Sequence, residues 1–412
     1  MGMKLHRNRR VFRVRKALPR ILLWSISAVA IVAVGFFGAK YFTEHPVGTT
    51  PDGSSDTSAT TSLPTDASPK PNTPNTGTQP EVLSDSVRAF YLPFAAIKDT
   101  EALAQTLDKA AQAGFNGVIV DMKDAQGSLY FRSQTARAQQ VNSFVEEAFS
   151  IEELTALFSV IREAGLQPIP RLYAFQDNAA ARALPAARIA HQSDPSWVWY
   201  DGNPADGGKA WLNPYADEAH LYVIDLAKEL RDAGAAAVML DAVQFPKQVS
   251  QASFGNSANV QLDRDGILTA FIEKARKMLG DTCPVILSCA ADGALGINTT
   301  IYGNNPLTFT PNAAAPALMT GDMKGTITVG NETMQNTPDQ LGTTIKALVN
   351  QMSLRIKVMD AAKQPTLIPW LQAYDYTAAQ IKDAMDGCVA GGASSYILYN
   401  PNGQYDFSVL GG

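Results

Sequence analysis

The sequence predicts an α/β protein, a (β/α)8 TIM-type barrel preceded by one transmembrane helix and a disordered linker. Three observations predict it. First, short apolar runs such as Ala236–Leu240 and Val118–Val120 are unalternated, as strands of a parallel sheet buried on both faces must be. Second, these runs alternate with stretches of helical period, which implies parallel pairing through right-handed crossovers. Third, polar residues gather at the C-terminal ends of the runs: Asp121, Lys123 and Asp124, then Arg171, then Asp241, then Trp370 and Gln372. In an α/β barrel that end is the mouth, where the chemistry of the fold sits.

The elements follow in chain order. Residues 1–20 hold eight Lys/Arg and no acid, a basic arm. Residues 21–39 carry no charge over 19 positions, close to the roughly 20 needed to span a bilayer. Cations before the span and few after it place the N-terminus in the cytoplasm and the barrel outside. A cleaved signal peptide is the competing reading, but its apolar core runs to about 7–15 residues before a small-residue site. Residues 40–86 are rich in Thr, Ser and Pro and lack apolar periodicity, so they cannot bury enough surface to offset ordering; the prolines at 64, 69, 71, 74 and 80 favour an extended linker.

Residues 87–412 are the barrel. Strand one is Val87–Leu92, followed by a helix capped at Asp99. Strand two is Gly117–Lys123, and Ser150-Ile-Glu-Glu153 is a capping box opening the next helix. Strand three is Gln167–Tyr173. A long loop follows, Ala174 to Pro214, with Trp197, Trp199, Tyr200 and Trp211, three of the five tryptophans of the chain. Its rings suit either stacking on sugar faces or a small core of the loop's own. Residues 215–233 are helical and strand four is Ala236–Phe245. Residues 265–279 are helical and strand five is Pro284–Ala290. Strand six is the weakest, placed at Ala315–Asp322 in a stretch rich in Asn, Pro, Thr, Gly and Ala; a doubly wound open sheet is the alternative that seven good strands leave open. Thr337-Pro-Asp-Gln340 and Thr377-Ala-Ala-Gln380 are two further capping boxes. Strand seven is Thr366–Tyr374 and strand eight Ser394–Tyr399.

Composition narrows the function. Beyond residue 40 the chain holds 34 − 9 = 25 Lys/Arg against 39 Asp/Glu, a net charge of −14, which argues against a nucleic-acid partner. Cys283, Cys289 and Cys388 are too few and odd in number for a disulfide framework, and read as small buried hydrophobes. There is no Gly-x-Ser-x-Gly elbow, and residues 202–209 fail the phosphate-loop spacing. His191 and His220 lack zinc spacing, so the expectation is no metal and no cofactor. Carboxylates at strand ends remain: Asp121, Asp124, Asp177, Asp241, Asp292, Asp322 and Asp375. Glycoside hydrolysis needs two, an acid for the leaving oxygen and a nucleophile or base. For any single one of them the plainer reading is a helix cap or a structural ion pair; Asp241, after four apolar residues and before Pro246, escapes it best. Asp121 and Lys123, two apart on one strand, are expected to pair inside the barrel.

These segments resemble the glycosyl hydrolase-like barrel domain of bacterial cell-envelope proteins, distantly related to α-amylase-like barrels, from about Val87 to Phe407. The matching stretches are Val118–Asp124 with Gly127, Arg171 with Phe175 and Asp177, Trp211-Leu-Asn213-Pro214, Leu240–Pro246 and Pro369–Gln372. The chain departs from the family where Ala242 and Gln244 replace Tyr and Arg, where the fifth-strand acid is displaced to Asp292, and where the sixth-strand motif is not recognisable. The resemblance implies a glycoside hydrolase acting on cell-wall or environmental polysaccharide. Asp241 would be nucleophile or general base, and Asp292 the general acid with Asp121 as alternate. Arg171, Trp211, Asn213, Trp370 and Gln372 would orient sugar hydroxyls and rings, and Lys123, Asp124, Gln244 and Tyr399 complete the candidate substrate-binding set. A degenerate barrel that binds envelope glycans without cleaving them is the alternative, and an envelope scaffold with no glycan site the third.

Overall fold

The computed structural model describes residues 86–256, 258–297, 306–308, 312–323, 325–330 and 332–411. The basic arm, the apolar segment 21–39 and the linker up to residue 85 lie outside the described residues. Among the described residues no helix is long and apolar enough to cross a membrane.

Eight parallel strands close on themselves. They are β1 (Arg88–Leu92), β2 (Gly117–Lys123), β3 (Gln167–Tyr173), β4 (Val238–Asp241), β5 (Val285–Ala290), β6 (Ala313–Leu318), β7 (Thr366–Leu367 and Trp370–Gln372) and β8 (Tyr396–Tyr399). Each pairs in parallel with its chain neighbour, and β8 pairs with β1 through Arg88↔Tyr396 and Phe90↔Leu398. That last register completes the barrel and excludes the open doubly wound sheet. Helices lie outside: α1 (Thr100–Gln112), α2 (Ile151–Glu163), α3 (Asp217–Asp232), α4 (Arg264–Leu279), the short α5 (Ala291–Leu295), α6 (Leu341–Lys357), α7 (Ala378–Ala390) and α8 (Phe407–Leu410).

Side-chain alternation builds two cores. One parity of each strand fills the barrel: Ala89, Ile119, Ile169, Met239, Ile286, Ala315, Ile368 and Ile397 form a single buried cluster. The other parity, including Phe90, Val118, Val120, Leu172, Leu240, Leu287 and Leu398, packs outward on the helices. The helices answer with stripes at helical spacing, such as Leu154, Leu157, Phe158 and Ile161 on α2.

Several boundaries differ from those expected. β4 stops at Asp241 instead of running to Phe245, because Ala242 turns into the left-handed region at φ 51°. β6 begins at Ala313 and ends at Leu318, two residues ahead of the expected start. Pro369 has no N–H to give to the ladder, and β7 breaks there. The Ser150 and Thr377 capping boxes form as expected. The one at Thr337 does not: the residue caps a 3-10 turn, Pro338–Gln340, with no side-chain bond, and α6 starts only at Leu341. The three cysteines are free and buried.

Three extensions come from loops that leave the strand C-termini; after β2, Leu129–Phe131 pairs with Lys123 and with Phe144–Phe149. The Ala174–Pro214 loop carries an antiparallel pair, Ala190–His191 with Asp194–Val198, joined by Ala252–Ser253 from the loop after β4. A second hairpin, Gly325–Val329 with Glu332–Asn336, follows β6.

Candidate active site

One step beyond the apolar barrel layer, the inward parity of each strand ends in a different kind of residue. Ala89 leads to Tyr91, Ile119 to Asp121, Ile169 to Arg171 and then Tyr173, Met239 to Asp241, Ile286 to Ser288, Ala315 to Ala317, Ile368 to Trp370 and Ile397 to Tyr399. Period-two geometry thus assembles the mouth from eight strands. Arg171, Tyr173, Asp241, Ser288, Ala317, Met319, Trp370 and Tyr399 line a cavity of about 190 Å³.

Arg171 is the hub. Its Nε and Nη2 donate to the two oxygens of Asp121 at 2.6 and 3.1 Å, a bidentate fork, and its Nη1 lies 3.4 Å from Asp241 Oδ2. Its guanidinium sits among the rings of Tyr91, Tyr173 and Trp370, 5.1–5.4 Å from their centroids. Burial alone would lower the pKa of Arg171, but the charge and hydrogen bonds of Asp121 outweigh it, and the group is held well above its ordinary range. Asp121 also accepts from the Tyr91 hydroxyl at 2.6 Å. Burial, then the Asp121 charge, pushes the Tyr91 phenol up; burial and the Asp241 charge do the same to Tyr173. Both phenols therefore stay neutral at physiological pH.

Asp241 is held differently. Ser288 Oγ donates to its Oδ2 at 2.9 Å and the Ala242 amide to its Oδ1 at 2.7 Å. Its side chain keeps 21% exposure against 12% for Asp121, so Asp241 presents the open carboxylate edge of the cavity.

Other candidates are placed elsewhere. Lys123 does not pair with Asp121. The β2–β3 register slips between Asp121 and Lys123, and this irregularity sets Lys123 opposite outward-facing Leu172. Its ammonium instead meets Asp177 at 2.8 Å, donates to the Tyr173 carbonyl and lies over the Tyr222 ring, with both charged side chains fully buried. Asp177 also caps the helix Asn178–Ala183, so this is the structural ion pair that the sequence left open for it. Asp124 closes a turn, accepting from the amides of Gln126 and Ser128 and from the Tyr130 hydroxyl. Asp292 lies in α5, where its Oδ1 accepts from the Gly293 amide, and is not among the residues lining the cavity.

The aromatic loop has its own core. Trp199 and Trp211 are 4% exposed, and their indoles donate to the Ser250 carbonyl and to Asp201. Asn213 is committed to the amide of Tyr215 and the carbonyl of Phe254. Trp211 and Asn213 therefore brace the loop and do not line the cavity. Gln372 bridges the Gly321 amide and the Tyr374 carbonyl, tying down the turn that follows Met319. Gln244 is half-buried and outside the cavity lining. Tyr91, Tyr173 and Ser288 were not singled out from the sequence; counting two residues past each interior apolar position finds all three. Among the described residues no group of three or more His, Cys, Asp or Glu is placed to hold a metal ion.

A closed parallel barrel with charged strand-end residues around a mouth cavity defines the class as a (β/α)8 barrel. The family described as "Putative glycosyl hydrolase domain" matches residues 89–301, that is 213 of 412 positions. The chain belongs to that family. The match takes in β1 to β5, with Asp121, Arg171, Asp241 and Ser288, while Trp370 and Tyr399 lie beyond it. Among solved structures, a hypothetical protein from Ruminiclostridium thermocellum ATCC 27405 aligns at 22% identity and a TM-score of 0.41, covering 48% of this chain and 95% of that one. The Flavobacterium johnsoniae chitobiase aligns at 11% and 0.49, covering 79% of this chain and 47% of that one, so this chain spans about half its length. The catalytic domain of β-amylase from Paenibacillus polymyxa aligns at 10% and 0.48, covering 80% and 95%. No curated protein matches the sequence.

Proposed function

We propose that the chain is a membrane-anchored, extracellular glycoside hydrolase that acts on cell-wall or environmental polysaccharide at the barrel mouth. One observation carries the reading: Asp241 offers an open carboxylate edge in a small aromatic-walled cavity, oriented by Arg171, Ser288 and the Ala242 amide. Family membership supplies the reaction class. In this reading Asp241 acts at the anomeric centre as nucleophile or base. Tyr173 and Tyr399, half-buried on the cavity wall, give ring faces for the apolar side of a sugar, with buried Trp370 packed edge-on against Tyr399. The basic arm before the uncharged segment 21–39 supports the anchor and its direction.

A second reading is favoured by a specific observation. Hydrolysis by two carboxyl groups needs a proton donor beside Asp241. Both Asp121 oxygens are engaged by Arg171, one of them also by Tyr91, and Asp292 stands outside the cavity lining. A barrel so arranged could hold glycans without cutting them. Incubating the full chain with a broad polysaccharide panel separates the two. New reducing ends support the hydrolase; retention on the same polysaccharides without new ends supports the binder.

A further inference from the structure

We infer that the mouth cavity selects a sugar unit carrying a free, protonated amine over its N-acetylated or carboxylated counterpart. This rests on the glycan reading above and names the substrate class of that same site. The argument begins with charge. Among the described residues the cluster holds one cation, Arg171, and two anions, Asp121 and Asp241, so its formal sum is −1. The cation is spent mainly on one partner. Arg171 gives Nε and Nη2 to Asp121 at 2.6 and 3.1 Å and reaches Asp241 only through Nη1 at 3.4 Å. The remaining donors to Asp241, the Ser288 hydroxyl and the Ala242 amide, are neutral. Tyr173 and Tyr399, the other titratable groups on the cavity wall, are both raised by burial first and stay uncharged. Asp241 is therefore a carboxylate with no full counter-charge, on the wall of a partly desolvated cavity where an ion pair is stronger than in water.

A ligand ammonium fills that deficit. A ligand carboxylate would add a second negative charge beside Asp241, with the Arg171 fork already occupied. A neutral acetamide would leave the deficit in place. At about 190 Å³ the cavity is below the roughly 300–1,000 Å³ of drug-sized sites, which suits one sugar ring. The wider domain acts in the same direction: residues 86–412 contain 24 Lys/Arg and 33 Asp/Glu, a net charge of −9, so a chain bearing repeated amines is drawn toward it.

The test is calorimetric binding of the full chain to short oligomers of glucosamine and of galactosamine, at a pH where the amines are protonated. Their N-acetylated forms and the matching uronic-acid oligomers serve as comparators. Expected is an amine form binding about tenfold tighter than the acetylated form, with the uronate weakest. Raising salt should shrink that ratio in the wild-type protein, and Asp241→Asn should bring it to about one. The salt series stands alone if the variant fails to fold. Acetylated or uronate oligomers binding as tightly as the amine form would overturn the inference while leaving a glycan site in place. A preference that neither salt nor Asp241→Asn alters would overturn it as well, as would no binding of any oligomer. The polysaccharide panel tests the broader reading independently.

Discussion

Asp121 and Asp241 are both strand-end aspartates on the inward parity, yet their neighbours give them different work. Asp121 is locked by a bidentate arginine and a tyrosine hydroxyl, while Asp241 keeps an open edge. Arg171→Met should therefore act mainly through Asp121. It leaves a buried carboxylate without its partner, and equilibrium urea unfolding should show a loss of about 3 kcal/mol or more. His220 gives a prediction in pH. Its ring Nε2–H donates to the Pro214 carbonyl at 2.6 Å, between Phe175 and Phe271, and burial lowers its pKa against the pull of that carbonyl. The unfolded state then binds a proton more readily than the folded one. The contribution to stability is complete above the ordinary histidine pKa of 6.5 and is lost as pH falls below it. Urea midpoints measured on either side of that value should fall with acidification in the wild type, and fall less in His220→Phe. At this scale the sequence was legible wherever a polar residue ended an apolar run, as with Arg171, Asp241 and Trp370. It was illegible where a side chain found its partner far along the chain. Lys123 to Asp177 and Trp199 to the Ser250 carbonyl are such pairs, and a slip in register redirected the first of them.

Among elements, caps show how a local motif is kept or overridden. Ser150 and Glu153 bond reciprocally at the start of α2, so Ser150→Ala should cost about 1 kcal/mol in thermal or chemical unfolding. Thr337 has the same spacing to Gln340 but makes no capping bond, and Thr337→Ala should change stability by less than about 0.5 kcal/mol. Pro338 makes the difference visible: it sits at the first position of a 3-10 turn, and the α-helix begins after it. Strand β2 and strand β3 were readable to the residue: Val118, Ile119 and Val120 fill the first, and Ile169 and Leu172 carry the second between its polar ends. β6 was displaced because Ala313-Ala-Ala-Pro-Ala-Leu318 has almost no β-branched content, and its place is set by pairing with Cys289 and Trp370 on its neighbours. β4 ended early because a positive φ at Ala242 has no signature in an alanine.

At the scale of the whole molecule, the membrane anchor and its extracellular barrel are a proposal read from the sequence of residues 1–86. That proposal predicts that protease added to intact cells releases a fragment beginning near residue 86, and that the same residues resist until the linker is cut. Protection of the entire chain would remove the extracellular placement. The barrel itself makes the central claim, that the mouth around Asp241 is where a glycan is bound and cut. The direct measurement is the rate of new reducing ends released from a polysaccharide by the wild-type chain and by Asp241→Asn, which keeps the side-chain shape and removes the charge. The account predicts release by the wild type and at least about a hundredfold slower release by the variant, with its thermal unfolding midpoint retained. Equal rates from the two proteins would contradict it.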